Sequence, residues 1–127
     1  METILIKFLR ILLIGFYAFA GSYHFINSEF YSDLIPNYLP YHNFINYASG
    51  LLEISFAIGV ALPKTRMLAV KSIIVLLILF IPSHVYFIQI GSCVESAFCV
   101  APWIAWVRLF VVHPLLILWA WAIRKSN

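Results

Sequence analysis

Hydrophobic and polar residues alternate along this chain in long blocks. Apolar runs cover about Ile4–Phe25, Phe44–Leu62, Met67–Ile90 and Trp103–Ile123. Each is near the ~20 residues a helix needs to cross a ~30 Å hydrocarbon layer. A membrane barrel would show alternating segments of about ten residues instead. Leu- and Ile-rich runs such as SIIVLLILF favour helix in lipid. The breaks are NSEFYSDLIPNYLPYHN (27–43), PKTR (63–66) and GSCVESAFCVAP (91–102). The pattern predicts an all-α fold, a transmembrane four-helix bundle in one domain over residues 1–127. The aromatic connection at 27–43, with its two prolines, is expected to form an ordered cap. No internal repeat, low-complexity tract or flexible linker interrupts the chain.

Composition agrees. The chain is 64% hydrophobic and 10% charged, with a mean hydropathy of +0.98. A soluble domain carries about 25% charged residues, and 127 residues enclose too little interior to hide this much apolar surface. The net charge of +3 does not point to nucleic acid, because the basic residues flank apolar segments and form no stripe. The N-terminal run has no small-residue cleavage site followed by a polar chain, so it is expected to be retained.

Charge orients the bundle. Lys7 and Arg10, then Lys64, Arg66 and Lys71, then Arg124 and Lys125 fall on one side of four spans. The other two loops carry Glu29, Asp33 and Glu95 and no Lys or Arg. The positive-inside rule places both termini in the cytoplasm of a multi-pass protein of a bacterial-type inner membrane. Tyr23, Tyr31, Tyr38, Tyr41, Tyr47 and Trp103 are expected in an outer interfacial belt, and Trp119 and Trp121 in an inner one.

Glu53 lies roughly ten residues below the outer surface, ~15 Å deep at 1.5 Å per residue. An ionised carboxylate facing lipid there costs a few kcal/mol. Gly50, Glu53, Ala57 and Ala61 share one helix face, small apart from the acid, so Glu53 is expected to face the bundle interior. His24, His84 and Arg108 fall in the same outer half, one from each other segment. Arg108 breaks the charge asymmetry, and a Glu53–Arg108 pair would solve both burial problems. His113 lies deeper, before a kink expected at Pro114. Two readings stay open: a polar pocket with a function, or hydrogen bonds that only fasten the bundle. A metal site is disfavoured, since no two ligands share an i, i+3 or i, i+4 spacing. Cys93 and Cys99 lie in the outer loop, where disulfides form. They suit a structural bridge or a redox-active pair, although no CxxC is present.

The stretches AGSYHF (20–25), IPNYLPYH (35–42), SGLLEI (49–54), LPKTR (62–66), IPSHVY (81–86) and WVRLFVVHPLLILWAW (106–121) resemble, in order, the motif series of the DoxX family of small four-helix membrane proteins. His84 stands where an Asn is usual and His113 where a Gln is usual, and the loop cysteines lie outside the pattern. The resemblance implies a four-helix bundle with polar positions at His24, Glu53, Arg66 and Arg108, Arg66 serving as an anchor at the cytoplasmic turn. The family name comes from a quinone-linked sulfur oxidation enzyme with a DoxX-like membrane subunit. Related proteins look like maturation factors or assembly chaperones.

Two function classes follow. One is a redox-associated subunit binding a quinone-like molecule, with Glu53, Arg108, His24 and His84 as the reactive polar set and Tyr17, Tyr41, Tyr86 and His113 as ligand contacts. Quinone chemistry needs an apolar slot, hydrogen-bond donors and a titratable relay. The chain has no haem or iron–sulfur ligation pattern, so a partner or the cysteine pair would supply electrons. The alternative is a non-catalytic assembly or maturation factor, or an accessory subunit, that contacts another membrane or periplasmic protein through the 27–43 loop. A homo-oligomer is compatible with both. A small-molecule carrier ranks lowest, because four short spans leave little room for alternating access.

Overall fold

The computed structural model describes residues 2–95 and 98–125 and is mostly helical. Helix α1 spans Ile4–Ile26 and starts at Thr3, whose hydroxyl accepts from the Ile6 amide at 3.2 Å, a standard N-cap. A short helix α2, Ser28–Ser32, begins the long connection. Helix α3 covers His42–Ala61. Helices α4, Arg66–Leu79, and α5, Ile81–Gln89, follow in line. A two-stranded antiparallel hairpin pairs β1, Cys93–Val94, with β2, Phe98–Cys99. Helix α6, Pro102–Val107, a π-helical stretch at Arg108–Val112 and helix α7, His113–Ala122, complete the fold. Together these make four rods, Ile4–Ile26, His42–Ala61, Arg66–Gln89 and Pro102–Ala122, each long and apolar enough to cross a membrane.

Two of the rods, expected at 67–90 and 103–123, are irregular. The third breaks at Phe80. Pro82 has no amide to donate to the Ile78 carbonyl, and its ring crowds that turn. The Phe80 amide instead bonds back to Leu76 and Leu77. In the fourth rod the distortion precedes the expected kink. Pro114 cannot bond the Phe110 carbonyl, and the turn before it widens so that the His113 amide reaches Arg108 O. The irregular turns meet: His113 Nε2 donates to Leu77 O at 2.5 Å. Helix α1 ends one residue later than expected and α3 starts two residues earlier, at His42 behind Tyr41 in a left-handed conformation, φ 58°.

The first two rods make the closest contact. A Cβ added at Gly21 would lie 2.7 Å from Gly50 O, and one at Gly50 would lie 2.6 Å from the His24 Cβ. Hydrogen at both positions is what lets these backbones touch. One core, Leu13, Tyr17, Ala57, Val60, Val70, Ile73, Leu77, Ala120 and Ile123, fills the end that carries both termini. A smaller cluster, Leu34, Phe87, Val94 and Ala105, lies under the hairpin and the 27–41 connection. The outward faces are apolar: Ile4, Leu5, Ile11, Phe19, Leu68, Leu79, Phe110 and Leu118 are all well exposed.

Two buried arginines close helix ends. The Arg10 guanidinium donates to Lys125 O at 2.7 Å and to Ile123 O at 3.4 Å, and pairs with Glu2. Arg66 Nε donates to Val60 O at 2.8 Å. Each supplies donors to carbonyls that a helix C-terminus leaves without partners.

Candidate functional site

A cavity of about 410 Å³ separates the two cores, within the ~300–1,000 Å³ range of small-molecule sites. Its walls are mostly apolar, with Phe16, Leu77, Phe80, Val112 and Leu116 among them. Leu34, Ile35, Pro36 and Leu39 of the long connection also line it, and the first three are buried. The connection therefore folds as a roof. His42 Nε2 pins it by donating to Pro36 O at 3.0 Å, and the Ser83 hydroxyl by donating to Leu34 O at 2.5 Å.

Into this cavity project Tyr17, His24, Glu53, His84, Arg108 and His113. They enter at different depths: His24 stands two residues from the end of α1, whereas Glu53 and His113 each stand eleven residues inside their rods. The expected Glu53–Arg108 pair is not formed. Glu53 faces His24 instead, with Nε2 to Oε2 at 3.3 Å. The close approach at Gly21 and Gly50 sets those two side chains together. Arg108 leaves from the π-helical stretch on the hairpin side, and its guanidinium lies 4.8 Å from the Phe87 ring centre and 5.8 Å from that of Phe98. Ring faces there take the place of a carboxylate. The His84 and His113 rings meet at 4.6 Å.

Two of the proposed ligand contacts fall outside. Tyr41 is 80% exposed and occupies the turn before α3. Tyr86 packs edge-on against Tyr38. It follows His84 by two residues, which is some 200° around a helix and so on another face. Tyr31, expected in the outer belt, turns inward and stacks on the His24 ring at 3.7 Å between centres. Burial, reinforced by the charge of Glu53 and by Tyr23, pushes the Tyr31 hydroxyl up to about 12, so it stays a neutral donor.

Asn46 is the residue that sequence reasoning missed. Its Nδ2 donates to the His24 carbonyl at 3.0 Å, and its Oδ1 lies 2.7 Å from His24 Nδ1. The signal was present, since Asn46, Gly50, Glu53 and Ala57 repeat at 4, 3 and 4 residues on one face. Phe98 was likewise hidden in a loop, yet it forms cavity wall beside the Cys93–Cys99 disulfide.

Four buried polar atoms around the cavity have no hydrogen-bonding partner among the described residues: Tyr17 Oη, Glu53 Oε2, His84 Nδ1 and Arg108 Nε. The 3.3 Å approach of His24 to Glu53 Oε2 is an ion-pair distance without hydrogen-bond alignment. Among the described residues no three His, Cys, Asp or Glu side chains converge as a metal set.

The chain belongs to the family described as Domain of unknown function (DUF8561), which it matches over residues 13–124. No curated protein and no solved structure matches it.

Proposed function

We propose that this is a four-span membrane protein that holds a small lipophilic molecule with polar oxygens, of the quinone or hydroquinone class, in the outer half of its bundle. The observation that carries the reading is the convergence on one apolar cavity of three buried polar atoms without hydrogen-bonding partners among the described residues, Tyr17 Oη, His84 Nδ1 and Arg108 Nε, beside the Glu53–His24 pair. Each such atom costs roughly 1–3 kcal/mol if left unmet, which a protein of ordinary stability does not carry three times over without use. A donor-only guanidinium and an acidic side chain in one cavity suit a ligand bearing both acceptor and donor oxygens. The motif series resembling DoxX supports a redox-associated subunit, with electrons supplied by a partner protein. Lys and Arg placement supports cytoplasmic termini and an inner-membrane location, with the roof and hairpin outside.

The test is a titration of the purified protein in lipid nanodiscs with a short-chain benzoquinone, followed by tryptophan fluorescence. Saturable quenching is expected, weakened about tenfold or more, ~1.4 kcal/mol, by Glu53→Gln and by Arg108→Gln. Quenching that never saturates and is identical in all three proteins defeats the proposal.

A second reading, an accessory or maturation factor, draws on the outward-facing Tyr38, Tyr41 and Trp103, at 66%, 80% and 66% exposure. It gains if cellular activity survives Glu53→Gln and is lost when Tyr38 and Tyr41 are both changed to Ala.

A further inference from the structure

We propose that His24 and Glu53 hold one proton between them and that Asn46 is the positioning residue that aims it at the cavity. The argument starts from the amide. A backbone carbonyl only accepts, so the Asn46 atom 3.0 Å from His24 O is the NH2 group. The other amide atom, 2.7 Å from His24 Nδ1, is therefore oxygen, which also only accepts. His24 must carry a hydrogen on Nδ1 to meet it. In a neutral ring this leaves Nε2 as a bare lone pair, 3.3 Å from Glu53 Oε2.

A bare imidazole nitrogen facing an ionised carboxylate would set two lone pairs against each other in a buried site. His24 is 6% exposed and Glu53 5%. One proton removes the conflict, as a carboxylic acid beside a neutral ring or as a carboxylate beside an imidazolium. Both forms are neutral overall. The groups facing the pair or sharing its cavity are Tyr17 from α1, Tyr31 from α2, Ser49 from α3, His84 from α5, Arg108 from the π-helical stretch and His113 from α7. Arg108 is the one fixed charge among them, and among the described residues no carboxylate other than Glu53 lines the cavity.

The pair can exchange its proton with a phenol-type hydroxyl. When the ligand oxygen arrives as an oxyanion, the N–H or O–H bond of the pair breaks and a ligand O–H bond forms. The pair then passes from net zero to −1 and the ligand from −1 to zero. No electron moves in this step. The exchange rests on the cavity being a ligand site, but the shared proton does not, and it is read without ligand.

The test uses 15N-histidine-labelled full-length protein in nanodiscs, with infrared spectra of the same samples. Wild type is expected to show His24 protonated at Nδ1, together with either a protonated Nε2 or a carboxylic acid carbonyl band that Glu53→Gln removes. In Glu53→Gln the amide N–H fills the gap, and His24 is expected neutral with hydrogen on Nδ1 alone. Asn46→Leu is expected to shift the tautomer ratio at least tenfold towards Nε2–H. The proposal is overturned by a bare Nδ1 in wild type, by a neutral His24 beside an ionised Glu53, or by an unchanged ratio in Asn46→Leu. If Asn46→Leu fails to accumulate, the comparison of wild type with Glu53→Gln decides.

Discussion

Arg10 and Arg66 show how a single cation is made tolerable inside an apolar bundle. Both are almost fully buried, and both spend their hydrogens on carbonyls at helix ends. Removing Arg10 strands Ile123 O and Lys125 O together, so Arg10→Ala is expected to cost about 1.5–3 kcal/mol, the range for hydrogen bonds to a charged group, measured by unfolding in mixed micelles. Its partner gives the contact a pH dependence. Bonding to Arg10 holds the Glu2 carboxyl below its ordinary value. A carboxyl depressed in the folded state adds stability that is complete above its unfolded-state value and is lost as pH falls through the folded one. Wild type is therefore expected to lose its advantage over Glu2→Gln on acidification and to keep it at neutral pH. A thermal midpoint difference that stays constant across the acid range would exclude this.

Packing of α1 on α3 was legible in the sequence at the level of elements, because a row of small residues around one acid has few other uses in an apolar helix. The irregular turns were less so. Pro82 and Pro114 announce disturbance, but whether a rod bends, breaks or widens depends on what neighbouring side chains offer the freed carbonyls. Here His113 meets Leu77 O, a contact between residues far apart in sequence. His113→Ala should cost roughly 0.5–1.5 kcal/mol by removing that hydrogen bond, since the Phe80 amide still meets Leu77 O. Gly50→Ala should cost about 1–3 kcal/mol through overpacking, since the new methyl meets backbone and the His24 Cβ rather than a flexible tip. It should also separate His24 from Glu53, so quinone binding is expected to fall with stability. A Gly50→Ala protein of unchanged stability and binding would show that this contact is not tight in the membrane.

Across the whole molecule, both termini and the 62–65 turn gather at one end, joined by Arg10 to Lys125 O and by Trp119 Nε1 to Leu9 O at 3.0 Å. Under the proposed topology, tags on either terminus are expected to be labelled only after spheroplasts are permeabilised, and a site placed at residue 38 already in intact spheroplasts. Labelling of both from one side would reverse or break the topology. Which residues share the cavity was largely readable from depth: Glu53, His24, His84 and Arg108 all lie within about three turns of the same end, His24 almost at the end itself. How they pair was not readable, because depth fixes height along a rod and not its rotation. A half-turn separates an arginine facing the acid from one lying on aromatic rings. Asn46 escaped notice as a neutral residue near a helix start, although it governs the hydrogens of its neighbour.

The hairpin closed by Cys93 and Cys99 carries one more consequence. Phe98, the residue before its second cysteine, is both cavity wall and a resting surface for the Arg108 guanidinium. Material translated in a reducing lysate would lack the covalent clamp that holds this ring in place. Preparations for ligand screening should therefore keep this disulfide oxidised, and batch-to-batch differences in quinone binding should track free thiol content.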